Sequence, residues 1–405
     1  MFKFILLFTL LLFNINLLAA THIKNNIIKL QLNWKNQFQF AGYIMAKEKG
    51  FYDKYKLNVI LNEVSKDINV VDSVLEGDAH FGIGRSSLII NRANGSKIVA
   101  LASILQSSPH VLISLKRDDL KTIKDFKDKK IMISTNAKDD LVILSMLFSN
   151  GMSLEKMKVQ PHTYNIEDLV TGKTDIYAAY TSNEPFVLKN KYKLDSTIFS
   201  PGDYGFDFYS DILFTSEELV RNHHKLVGDF KTASLEGWNY AFENIEESVN
   251  IIFEKYNTQN KSKKALLYEA KKLKKLAYLE DKELGQIEDI RVEKINDFYT
   301  ILGETNRKIN LDRFIFSNYK NNFLLTSEER DYLRKKDRLK LCIDPNWMPF
   351  EKFDELGNYI GLTSEYFKLF EKQLNTSITP VKTKSWSETL KFMKDKKCDI
   401  LSAAM

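Results

Sequence analysis

The fold turns on LQLNWKNQFQFAGYIMAKEKGFYDKYKLNV, residues Leu30 to Val59. Leu30 and Leu32 alternate with polar neighbours as a strand does. Trp34, Gln37, Phe38, Gln39 and Phe40 then crowd the following turn, before a helical pattern resumes from Ala41 to Lys49. Lys47 and Lys49 in the last turn, with Gly50 behind them, suit a helix C-terminus. In an open α/β sheet, ligands bind outside the carboxyl ends of the strands. A turn of aromatics and amides at that place predicts a slot for a flat, hydrogen-bonding molecule. Core packing is the competing reading of the same aromatics.

Outward from this stretch, one unit occurs three times: VLEGDAHFGIG (Val74 to Gly84), LVTGKTDIYAAY (Leu169 to Tyr180) and FMKDKKCDILSAAM (Phe392 to Met405). In each, a helix ends, a short polar turn follows, and a strand begins through an acid or a histidine. This is the crossover that leads an α/β chain into a parallel strand, and three of them predict three sheet halves.

Residues 1–20, MFKFILLFTLLLFNINLLAA, have one lysine, an apolar centre and small residues at Ala19 and Ala20, as in a secretory signal peptide, with the mature chain starting near Thr21. An uncleaved anchor is the alternative, although the run is short for a bilayer span. The remainder of the 405 residues exceeds one core and predicts two or three compact units. Cys342 and Cys398, the two cysteines of the chain, are expected to be buried thiols. The net charge of +6 comes from lysines scattered beside acids, densest in KSKKALLYEAKKLKKL from Lys261 to Leu276. Leu and Tyr recur there at helical spacing, which predicts the solvated face of an amphipathic helix and no nucleic-acid partner.

Catalytic constellations are poor. The chain has no His-Glu-x-x-His, Cys-x-x-Cys, Gly-x-Ser-x-Gly or phosphate-loop motif, and neighbouring His223 and His224 point apart on a helix. No catalytic residue, metal ligand or cofactor is assigned. Recognition chemistry stands out instead. Gly84, Ser86 and Ser87 are expected to open a helix beside Arg85, with N–H groups and hydroxyls toward the cleft. Asn183 and Glu184 precede Pro185 at another helix start, where a carboxylate can accept from a ring amine. Tyr209 and Asp211 lie at an inferred return between lobes, Gln37 and Gln39 supply amides, and Trp34 and Phe38 are expected to sandwich the ligand ring.

The segment LNWKNQFQFAGYIMAKEKGFYDKYKL resembles the opening signature of periplasmic solute-binding proteins related to the thiamine-pyrimidine synthases and pyrimidine-precursor transporters. The resemblance continues through GDAHFGIGRSS, Asn183-Glu184-Pro185 and YGFDFYSDILFTSEEL, over roughly residues 25 to 300. It implies an α/β, type-II periplasmic-binding-protein fold for residues 21–300, whose two lobes (about 25–112 with 205–300, and about 113–204) close on a small heterocycle. The synthases of that family use a cysteine-rich segment for iron and a consumed histidine. Here Tyr204 to Phe214 holds no cysteine, and Arg85, Ser86, Ser87 and Leu88 stand where the histidine should follow the HFGIG strand, which disfavours synthase activity.

After an expected linker at 301–325, residues 326–405 resemble the start of a second kind of binding module, the family-3 solute-binding proteins that include amino-acid receptors. The strand Leu339 to Ile343 leads into a pocket turn with Asp344, Trp347, Phe350 and Glu351 as candidate contacts, and the module is expected to stop before its second lobe. Two unlike binding modules behind one signal peptide resemble the extracytoplasmic input of membrane sensors such as histidine kinases or cyclic-dinucleotide enzymes. The alternatives are the binding component of an ABC importer, with a membrane partner, and the synthase.

Overall fold

The structure, a computed structural model, describes residues 27–65, 68–134, 140–278, 282–317, 327–336, 338–374 and 376–402. The expected signal peptide lies outside the described residues.

Among the described residues, ten strands build the first module: β1 (Ile27–Gln31), β2 (Asn58–Asn62), β3 (Phe81–Gly84), β4 (Ile98–Leu105), β5 (His110–Leu115), β6 (Lys130–Ile133), β7 (Lys158–Pro161), β8 (Ile176–Tyr180), β9 (Ser196–Phe199) and β10 (Ser210–Ser216). They form two five-stranded sheets, ordered β2-β1-β3-β10-β4 and β7-β6-β8-β5-β9. The chain passes between them twice, from β4 to β5 and back from β9 to β10. The returning β10 lies antiparallel between β3 and β4, and β5 lies antiparallel between β8 and β9. The cleft lies between these two sheets, one in each lobe.

The three crossover units share one construction. Each brings its strand parallel to a neighbour: β3 to β1, β8 to β6 and, in the second module, Ile400–Leu401 to Arg338–Cys342. The turn before each strand holds a left-handed residue, Gly77, Gly172 or Lys396, the conformation glycine reaches at least cost. The residue just before each strand then exchanges two hydrogen bonds with the neighbouring strand. Lys29 N–H donates to His80 Nδ1 at 3.1 Å, Lys130 N–H to Asp175 Oδ2 at 2.9 Å and Lys340 N–H to Asp399 Oδ2 at 2.9 Å. In return, the N–H groups of His80, Asp175 and Asp399 donate to the carbonyls of the same three lysines. An acid or a histidine at this place is thus a side-chain acceptor that completes the ladder. His80 suits the task because burial, Lys29 and His223 hold its pKa down, so Nδ1 stays free to accept.

One core fills the outer face of the first sheet beneath helices Ala41–Glu48, His224–Glu243 and Lys263–Ala277. Helices Ala41–Glu48 and His224–Glu243 cross closely because Gly42 and Gly237 stand at the crossing. A Cβ on Gly42 would overlap the Trp238 ring, and one on Gly237 would overlap the Gly42 carbonyl. A second core runs from the other face of that sheet, under Asp289–Ile301, into the second lobe, and a third covers the far face of the second sheet. Residues 311–316, expected in the linker, belong to the first module. Phe314, Ile315 and Phe316 are buried, and Ile315 bridges to Ala100 of β4, because three consecutive apolar side chains have a sheet edge to cover.

The second module holds β11 (Arg338–Cys342), β12 (Asn346–Trp347), β13 (Glu351–Phe353), β14 (Tyr359–Ile360), β15 (Ser377–Val381) and β16 (Ile400–Leu401). Its sheets are ordered β15-β11-β16 and β12-β13-β14. The expectation of buried thiols is corrected here: Cys342 and Cys398 form a disulfide across 56 residues. Cys342 ends β11 and Cys398 lies in the turn that leads into β16, with their Cα atoms 5.7 Å apart, within bonding reach.

Candidate functional site

The cleft between the lobes holds a cavity of about 120 Å³ that opens to solvent at its mouth. Lobe one contributes Asn33, Trp34, Gln37, Gln39 and Arg85. Lobe two contributes His110, Ser134, Asp140, His162, Tyr164, Tyr180, Asn183 and Glu184.

Of the residues singled out in the sequence, Trp34, Gln37, Gln39, Arg85, Asn183 and Glu184 line this cleft. The polar members are locked in place. Gln259 Nε2 donates to Gln37 Oε1 at 3.2 Å, Gln37 Nε2 to Gln39 Oε1 at 2.8 Å, and Gln39 Nε2 to Asp211 Oδ1 at 2.9 Å. An acceptor at the end of this relay orients all three amides. Asp211 is buried behind the lining, with φ of 48°, and burial lifts its carboxyl to about 6, the rise opposed by Gln39, Arg85 and Asn33. Arg85 reaches the other lobe, where its Nε donates to the Tyr180 hydroxyl at 3.1 Å.

In lobe two, Glu184 accepts from Tyr180 N–H at 2.8 Å and from Asn183 Nδ2 at 2.6 Å, yet burial still raises its pKa. Asp140 is raised by burial too. Its Oδ2 accepts from Ser134 N–H at 2.5 Å and its Oδ1 lies 3.3 Å from His110 Nε2. His162 is held neutral by burial: Nε2–H donates to the Ala178 carbonyl at 2.7 Å and Nδ1 accepts from Tyr164 N–H at 3.0 Å. That bond fixes the turn that aims Tyr164 at Trp34.

The other candidates are corrected by their surroundings. Phe38 is fully buried and packs on Phe242, so it cannot face Trp34 across a ligand; in a short 3-10 turn, adjacent residues project to different sides, and Phe38 takes the core side. The Ser86 hydroxyl is buried against Tyr299 at 2.6 Å, and Ser87 makes no side-chain cap. Gly84 is packed by Leu88. Tyr209 lies under the Arg291 guanidinium, its hydroxyl accepting from Glu288 N–H at 3.0 Å, away from the cleft. In the second module, Glu351 is fully buried and accepts from Asp344 N–H, the Tyr359 hydroxyl and the Thr363 hydroxyl, which makes it an internal brace. The Asp344 side chain accepts from Asn346 N–H, and Trp347 packs on the exposed Phe350.

Sequence reasoning missed His110, Asp140, His162, Tyr164 and Tyr180. Tyr180 stood at the end of the TDIYAAY unit, the carboxyl end of a strand, and carried the same positional signal as Trp34. Asp140 and His162 had no comparable local mark.

Two sheets joined by two crossings, with a polar aromatic cleft between them, define a two-lobed solute-binding protein. A family model described as "NMT1/THI5 like" matches residues 37–248, just over half of the chain, and the chain belongs to that family. A second model, "Bacterial extracellular solute-binding proteins, family 3", matches residues 339–405. A protein assigned to thiamine biosynthesis in Haemophilus influenzae is 24% identical over 51% of this chain, which spans 65% of that relative's length. The formylaminopyrimidine-binding protein of Halalkalibacterium halodurans is 20% identical over 58% of this chain and 72% of its own. The fold is that of the aliphatic sulphonate binding protein SsuA from Escherichia coli (TM-score 0.57, 11% identity, 72% of this chain and 98% of that one). It is also that of the nitrate-binding protein NrtA from Synechocystis PCC 6803 (TM-score 0.56, 14% identity, 73% and 87%).

Proposed function

We propose that the first module binds a small, uncharged or cationic nitrogen heterocycle of the pyrimidine type outside the cytoplasm. The observation that carries this reading is the charge of the lining: the carboxylates Asp140 and Glu184 stand against one guanidinium, Arg85, among four side-chain amides. Carboxylates and amide oxygens accept from ring N–H and amino groups, and would repel the sulfonate or nitrate named for the two fold neighbours. The formylaminopyrimidine named for one relative has the favoured chemistry. Ligand touching both lobes stabilises the closed arrangement by its differential affinity for that state. Calorimetry with aminopyrimidines, alkanesulfonates and amino acids tests the assignment. Saturable binding of an aminopyrimidine is expected, and binding of sulfonates in its place would sink the reading.

The presence of two unlike solute-binding families in one chain favours the input region of a membrane signalling protein, with an importer's binding component as the alternative. The Cys342–Cys398 disulfide agrees with an oxidising, extracytoplasmic compartment. We place the boundary between the modules after residue 316, where the first core ends. The reading frame beyond Met405 separates the roles: a membrane span followed by a kinase or cyclase domain is expected for the sensor, and an immediate stop for the importer component. Iron-dependent turnover of the purified protein would revive the synthase.

A further inference from the structure

The lysine-rich segment from Lys261 to Leu276 was expected to be a solvated helix face, yet its first residue is enclosed. The Lys261 side chain is 13% exposed and its Nζ lies between two acceptors, Glu269 Oε2 at 3.2 Å and Asn183 Oδ1 at 3.1 Å. Glu269 belongs to helix Lys263–Ala277 of lobe one, is 1% exposed, and accepts from Gln39 N–H at 3.0 Å through its other oxygen. Asn183 belongs to lobe two and lines the cleft. The same helix touches lobe two again through Tyr268, whose hydroxyl donates to the Thr181 carbonyl at 3.4 Å and whose ring packs on Phe186 with centroids 5.2 Å apart.

An amide side chain can point either its oxygen or its nitrogen at a given neighbour. With an ammonium on one side, Asn183 must turn Oδ1 toward it, which directs Nδ2 to Glu184 Oε1 at 2.6 Å. When the lobes part, Lys261 keeps Glu269 and loses Asn183, and the orientation of the amide is no longer dictated from lobe one.

We propose that Lys261 is the positioning residue of the cleft: a charged bolt, anchored on Glu269, that holds the lobes together in the absence of ligand and sets the Asn183–Glu184 pair for recognition as they close. Lys261 acts through Asn183 and does not line the cleft. The proposal is independent of the ligand's identity, and its test needs no ligand.

Spin labels at two exposed positions, Glu76→Cys in lobe one and Lys158→Cys in lobe two, report the lobe separation in the full, disulfide-intact chain by pulsed electron resonance. Without ligand the parent should give mainly a short distance, and Lys261→Arg should retain it. Lys261→Met/Glu269→Gln, which avoids leaving a bare buried carboxylate, should shift the distribution to longer distance. Asn183→Ala should do the same while leaving the Lys261–Glu269 pair intact, so the outcome does not hang on one variant's folding. Identical distributions for parent, double variant and Asn183→Ala, or a parent already at the long distance, would overturn the proposal.

Discussion

Trp34 and Tyr164 meet ring to ring across the mouth of the cleft, one from each lobe, with centroids 5.9 Å apart and planes inclined by 40°. That spacing leaves no room for a third ring between them, so the pair forms a lid over the ligand space. Both rings keep an exposed side, 39% for Trp34 and 67% for Tyr164. Tyr164 is held for the contact by a left-handed backbone, φ 57°, and by its N–H bond to His162.

A lid of this kind controls release more than recognition. Tyr164→Ala and Trp34→Ala should each raise the dissociation rate of the cleft's ligand, and a double-mutant cycle should give a coupling of about 0.5–1.5 kcal/mol. Stopped-flow displacement measures it. Strictly additive effects would show that the rings do not act together.

Asp211 predicts a pH dependence of stability. Its folded carboxyl keeps the proton up to about pH 6, against an ordinary 3.8, so between those values the native state holds more protons than the unfolded chain. Stability from this group is therefore greatest at low pH and falls as pH rises through the window, by about 3 kcal/mol for a shift of about two units. Asp211→Asn removes that loss. In urea unfolding at pH 4 and pH 7, the stability of the variant relative to the parent should rise with pH; a difference that does not change with pH excludes the assignment.

Gly42→Ala should lower stability by about 1–3 kcal/mol, because a methyl group at the crossing with His224–Glu243 must displace Trp238. Cavity-making Trp238→Leu in the same background should recover part of the loss. No recovery in paired denaturation curves would mean that the crossing tolerates the methyl in some other way.

Reduction, or the pair Cys342→Ser and Cys398→Ser, should destabilise the second module by about 2–4 kcal/mol, since the bond closes a long loop in the unfolded chain. Differential scanning calorimetry should show the second module's transition moving while that of the first module stays. A shift of both transitions would place the disulfide's influence beyond its own module.

The sequence by itself determined the parts of this protein that depend on neighbours along the chain. The crossover units were legible because a helix end, a left-handed turn and an acceptor just before the strand lie within a few positions of one another, at Gly77 and His80 and again at Gly172 and Asp175. The pocket turn was legible from Trp34, Gln37 and Gln39 at the carboxyl end of β1. Hydrophobic pattern separates inside from outside, but it does not say which inside, and only the tertiary structure sent Phe38 into the core while Gln39 lined the cleft. The opposing wall of His110, Asp140, His162 and Tyr164, and the enclosure of Lys261 against Asn183, 78 residues away in the chain, arise where two separately folded sheets face each other. The disulfide has the same origin: the packing of the turn before β16 against the end of β11 set Cys342 beside Cys398. Such contacts are fixed by the packing of whole elements, whose relative placement leaves no local mark in the chain.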